Sequence, residues 1–140
     1  RADDRSSIHL SPLPEPAPER EDAALEEKFD AILAARAAVT QELEAFRAQK
    51  HRTLDAAVTL GVPAAHREAL KASADRLHDY FIVSSVALEE TDGEEFTVTV
   101  AEHTGTKCPR CWKRDHAPET VGEHEGLCPR CAAVLREMGL

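Results

Sequence analysis

All four cysteines of the chain belong to two copies of one tetrapeptide, Cys-Pro-Arg-Cys, giving Cys108, Cys111, Cys128 and Cys131. The pattern C-x2-C-x16-C-x2-C falls within the spacing of a tetrathiolate zinc site. A two-residue gap lets a tight turn aim both sulfurs at one ion, and proline after the first Cys of each pair fixes the φ of that turn. The intervening residues are enough to bring the chain back and close a tetrahedron. Four thiolates leave no open coordination position, so the expected ion is one structural Zn2+ rather than a hydrolytic one. Disulfides compete for the same cysteines, but an acidic chain without an export signal argues against them. A thioredoxin-like redox role needs only one such pair.

A module of thirty-odd residues cannot bury a sufficient core alone and needs a staple of this kind. Zinc contributes roughly 10–16 kcal/mol of apparent folding free energy in small finger peptides. The basic residues around the knuckles have one account in the metal itself. Zinc with four thiolates carries a formal charge of −2, which Lys107, Arg110, Lys113, Arg114 and Arg130 would offset. The charge distribution allows a second account. Residues 1–106 hold 11 Lys+Arg against 21 Asp+Glu (−10), and residues 107–140 hold 6 against 5 (+1). A phosphate-binding face therefore belongs in the tail, because the remainder repels polyanions. His103, His116 and His124 read as surface residues beside a complete ligand set, His124 being the natural substitute for a missing sulfur. Trp112 follows only the first knuckle, as a lid packed over the site or as a platform for a base.

Upstream, four of the chain's eight prolines lie in residues 1–20, which read as an extended lead-in. From about Glu21 to His51 the periodicity is helical. Leu25, Phe29, Ile32, Arg36, Val39, Leu43 and Phe46 fall on one face, with Arg36 as a charged interruption that snorkels or pairs. Acids at its front and bases at its end suit the helix dipole. Thr53 to Pro63 reads as a strand, "AAHREALKASADRLHDY" as a second helix with Leu70, Ala74 and Leu77 inward, and Phe81 to Leu88 as a strand. Asp92-Gly93 predicts a hairpin joining it to "FTVTVAEH". The expected fold is α+β: lead-in 1–20, long helix 21–52, a β-α-β-β unit over 53–103 and a four-cysteine zinc-binding module over 104–140.

No apolar run approaches the ~18 residues of a membrane span, and the N-terminus lacks a signal peptide's order, so the expected setting is cytoplasmic with no membrane partner. Arg at position 1 reads as a segment of a longer protein. Gly-rich phosphate loops, a His-Glu-x-x-His helix and a nucleophile elbow are absent, and Ser84 and Ser85 read as structural, so no catalytic residue is assigned.

"KCPRCW" followed by "LCPRC" resembles the C-terminal zinc module of bacterial isoleucyl-tRNA synthetases, a zinc-finger type shared with DNA glycosylases of the formamidopyrimidine class. The rest of the chain strengthens the likeness. "SSIHLSPLPEP" is similar to the stretch before that family's last long helix, and "DYFIVSSVAL" to one of its strands. Arg36, Val39, Leu43, Glu44, Arg47, Lys50, Leu54 and Ala56 follow its helix pattern. Leu13, Phe29 and His51-Arg52 depart from it.

The resemblance implies a piece of an ATP-dependent ligase that charges tRNA(Ile) with isoleucine. This piece would be the end of the anticodon-binding helical region plus the zinc domain that helps hold the anticodon side of the tRNA. ATP belongs to the parent enzyme, and the partners implied are tRNA(Ile) and the remainder of the synthetase chain. In that reading Lys113 and Arg114 contact phosphates and Trp112 stacks on an unpaired base. Lys107, Arg110 and Arg130 divide between thiolates and RNA. The alternative is a structural zinc clamp or protein-interaction module without RNA contact. A glycosylase tail fits least, since "KRDHAPETVGEHEG" does not look like a DNA-reading hairpin.

Overall fold

The computed structural model describes residues 12–139. Of the expected lead-in, residues 1–11 lie outside the described residues. Residues 12–17 have no regular structure, and a short 3-10 turn occupies Pro18–Arg20. Helix α1 then runs from Ala23–Ala48, opened by Asp22, whose Oδ1 accepts the Leu25 N–H at 3.0 Å. It ends where Lys50 takes a left-handed φ of 67°.

Only the later part of the α1 stripe is buried. Ala31, Ile32, Ala35, Val39, Leu43 and Phe46 pack into the core, while Leu25, Phe29 and Leu33 of the first turns stay exposed. Arg36, the interruption, donates from Nε to the Tyr80 carbonyl at 3.1 Å. It thus satisfies an orphan acceptor at a helix end.

The body is a three-stranded sheet under α1. Strand β1 (Ala56–Val62) is central, with β2 (Ser85–Glu90) parallel on one side and β3 (Thr97–Glu102) antiparallel on the other. Val58 stands opposite Val86 and Val100, and Leu60 opposite Leu88 and Val98, which aligns the apolar side chains in rows on one face. These rows meet Ile32, Val39, Leu43, Leu70, Leu77, Phe81 and Val83 in a single core. At Gly61 an added Cβ would run into Thr97 Oγ1, so the close pairing of β1 and β3 here holds the Thr97 hydroxyl where only a glycine leaves room for it.

Three expectations change here. The Asp92-Gly93 turn does not make a hairpin, because β2 and β3 never pair. The more deeply buried β1 sits between them, and the turn carries the chain across its end. The second helix is two short pieces, α2 (Arg67–Lys71) and α3 (Leu77–Tyr80), separated by turns. At the break, Ser73 Oγ bonds back to the Ala69 carbonyl at 3.2 Å, a local bond that competes with helix continuation. The strand read as starting at Phe81 begins at Ser85, after Ile82 reverses the chain with φ 59° and leaves its own side chain exposed.

Beyond β3 the chain forms a second, much smaller cluster from four short strands and a helix. Strand β4 (Thr106–Lys107) pairs with β5 (Arg114–Asp115), and β6 (Glu119–Val121) with β7 (His124–Leu127). Helix α4 (Pro129–Glu137) follows. Its buried interior is Cys108, Val121, Leu127, Cys128, Cys131, Ala132 and Leu135, so cysteine is its commonest component.

Candidate metal centre

The two Cys-Pro-Arg-Cys copies fold differently because their downstream residues differ. The second is the first turn of α4: Cys128 is the N-cap, Pro129 takes the first helical position, and Cys131 lies within the helix. "AAVLRE" behind it consists mostly of helix formers and continues the turn. The first copy closes with Trp112 N–H to the Cys108 carbonyl (2.9 Å) and Cys108 N–H to the Lys113 carbonyl (2.8 Å). Trp112 then adopts φ 68°, and the chain leaves along β5 instead of continuing as helix.

These turns bring one ligand atom from each of Cys108, Cys111, Cys128 and Cys131 within 4.8 Å of one another, and the Cys111 and Cys128 sulfurs to 3.6 Å. All four are free thiols, and a disulfide would need sulfurs about 2.05 Å apart. A zinc–sulfur bond of about 2.3 Å implies tetrahedral edges of about 3.8 Å, which this cluster fits. Its electrostatics point the same way. Burial raises the pKa of Cys108, but N–H groups of Cys111, Cys128 and Arg110, with the Cys111 thiol, outweigh it and bring the value down to about 6. Burial pushes Cys111 and Cys131 up, and neighbouring thiols add to the rise. Four sulfurs this close, three of them buried and Cys111 half-buried, hold four negative charges only around a cation.

The expected basic residues divide into two sets. Lys107, Arg110 and Arg130 are exposed and make no ion pair among the described residues. Trp112 is 57% exposed and outside the buried cluster, so it is not a lid. Lys107 Nζ stands 6.0 Å from its ring centroid. Lys113 and Arg114 instead turn toward the body. Lys113 Nζ is paired with Asp79, and its side chain is 16% exposed. Arg114 Nε donates to Asp55 Oδ1 at 2.8 Å, and Arg114 N–H to Ser84 Oγ at 2.7 Å. Ser84 Oγ in turn donates to the Leu54 carbonyl at 2.5 Å.

The module is therefore fastened to the sheet through the two residues next to Trp112. The Lys113 bond holds Asp79 below the usual carboxylate range, and the Arg114 bond does the same for Asp55, against the opposing effect of burial in both. The partners Asp55 and Asp79 carry no sequence signal, since they lie 59 and 34 positions from their cations.

Of the three histidines, His103 is buried rather than on the surface. Its Nδ1 accepts the Gly105 N–H at 3.0 Å, and its ring stacks on His116 with centroids 4.6 Å apart. His116 and His124 are exposed. None of the three joins the sulfur cluster.

Residues 105–134 match the family described as the zinc finger found in FPG and IleRS. Over nearly its whole length the chain is similar to proteins named isoleucine–tRNA ligase. It is 37% identical to that of Geobacter sulfurreducens over 142 residues, which is 94% of this chain and 15% of the relative. It is 35% identical to that of Desulfitobacterium hafniense over 147 residues (95% and 16%). It is 38% identical to that of Syntrophotalea carbinolica over 142 residues (94% and 15%). The chain thus spans about 15% of the length of the curated relatives it matches.

The geometry generates two expected outcomes. Chelation of the metal should unfold residues 104–136 and leave the three-stranded body folded, which amide NMR spectra resolve; tail signals unchanged in metal-stripped protein would contradict this. Replacing Asp55 and Asp79 by Asn should release the module from the body without loss of zinc. Exchange at amides 113–115 should rise, by about 1–3 kcal/mol for the better-buried Asp55 bond. Because both folded pKa values are lowered, this fastening is present above the unfolded value of about 3.9 and is lost as pH falls through the folded values. Protected amides in the double variant would show that the module is held by something else.

Proposed function

We propose that this chain, similar over nearly its whole length to isoleucine–tRNA ligases, is the tRNA-holding zinc end of such an enzyme. Cys108, Cys111, Cys128 and Cys131 hold one structural Zn2+, which supplies the charge and bonds that keep the two knuckles together. The parent enzyme supplies the ATP-dependent charging of tRNA(Ile) with isoleucine, acts in the cytoplasm, and contacts this segment through the remainder of its chain.

The observation that carries the RNA reading is Trp112. A bulky residue in the left-handed region costs on the order of 1–3 kcal/mol, and here it places a large apolar ring in solvent beside an unpaired lysine. An indole so presented suits stacking on an unpaired base, with Lys107, Arg110 and Arg130 available for nearby phosphates. Lys113 and Arg114, the residues first in line for phosphate contact by sequence, serve this reading by fixing the platform's orientation. With so few cations and an acidic body, the segment alone binds RNA weakly and in a salt-dependent way.

The ion pairs of Lys113 and Arg114 also favour the second reading, a zinc clamp that only closes the chain against its own body. In the intact ligase, Trp112→Ala with Lys107→Ala should weaken tRNA binding by about tenfold, since stacking is worth roughly 1–3 kcal/mol per base. Zinc content should not change. Unaltered tRNA affinity at moderate salt would leave the clamp.

A further inference from the structure

Between the body and the metal module lies a cleft of about 490 Å3, within the size range of small-ligand sites, about 300–1,000 Å3. Asp75 and Arg76, just before α3, line one wall, Arg130 and Asp115 line it from the module, and the cleft reaches the candidate ligands Cys111 and Cys128. Most of its other charged groups are already engaged. Lys113 is paired with Asp79, and Arg114 with Asp55. Arg76 and Arg130 are exposed and make no ion pair among the described residues. Arg76 contributes only backbone bonds to the fold, donating to the Ser73 carbonyl and accepting from Asp79 and Tyr80.

The lining therefore includes one arginine from the body, Arg76, and one from the module, Arg130, with carboxylates at Asp75 and Asp115. Asp115 already accepts the Ala117 N–H at 2.9 Å. A polyphosphate would be repelled by those acids. A nucleotide within a strand carries one phosphate charge together with neutral donors, the ribose hydroxyl and base amino groups, that carboxylates accept.

We propose that this cleft seats one RNA nucleotide, its phosphate held between Arg76 and Arg130 and its neutral donors facing Asp75 and Asp115. The inference rests on the tRNA reading above and adds to it a residue of the body. RNA then touches both sides of the cleft, so binding and the docking of the module reinforce each other. Arg130 would serve the phosphate directly, and the platform at Trp112 would receive a separate base.

The test is a salt series of the zinc-loaded chain against a tRNA transcript carrying an isoleucine anticodon. Arg76→Gln and Arg130→Gln are compared with Arg20→Gln, an equal loss of charge outside the cleft. Zinc content is checked in each. Each cleft variant should bind three- to tenfold more weakly and lower the salt slope by about 0.7, one single-strand phosphate contact. Because both arginines hold the same phosphate, the double variant should lose less than the product of the two. If Arg76→Gln behaves like Arg20→Gln while Trp112→Ala still weakens binding, the cleft proposal falls and the tRNA reading stands. Absence of any binding by the unaltered chain at the low-salt end of the series, where the weak affinity of the segment is greatest, overturns both.

Discussion

Four sulfurs within 4.8 Å of one another, in a cluster whose remaining buried members are Val121, Leu127, Ala132 and Leu135, define what the C-terminal part of this protein can be. So few apolar side chains are too small a core to order the surrounding residues alone, and a metal bound by the four sulfurs is the staple such a module needs. The two knuckles, the β4–β5 and β6–β7 pairs and the start of α4 are all arranged around those sulfurs. An outward Trp112 and an inward Lys113 and Arg114 follow directly after the second of them.

That adjacency links metal to body. The chain leaves the first knuckle through a left-handed Trp112, and the next two residues reach Asp79, Asp55 and Ser84 on the sheet domain. The geometry that holds the ion also aims the cations, so a module with almost no interior keeps a defined position against a larger one. The body contributes its own rigidity here. Ser84 and Asp55 sit at the ends of β2 and β1, strands locked by the packing of Val58 and Leu60 under α1. The net positive balance of residues 107–140 is thus divided between attachment and exposure. Lys107, Arg110 and Arg130 remain exposed and, among the described residues, without an ion pair in an otherwise acidic protein.

Local chemistry was legible in the chain, and long-range pairing was not. Cysteine spacing, proline placement and the stripe of α1 each depend on neighbours a few positions away, so the sulfur cluster and most of the elements could be read directly. Asp92-Gly93 also reported correctly that the chain turns. Whether the flanking strands pair depends on which strand takes the centre, and β1 takes it by burying Ala56, Val58, Leu60 and Val62. The roles of Lys113 and Arg114 were hidden for the same reason, because their carboxylates lie far off in sequence. Trp112 could be read as a lid until its φ and its exposure placed it outside the buried cluster. Leu25 and Phe29 continue the helical period of α1 but precede the turns that the core buries, which begin at Ala31.

X-ray absorption at the zinc edge of the purified chain tests the account at its root. It predicts one zinc per chain with four sulfur neighbours at about 2.3 Å. Nitrogen or oxygen in place of a sulfur, or a metal-free protein that keeps its C-terminal part folded, would contradict it.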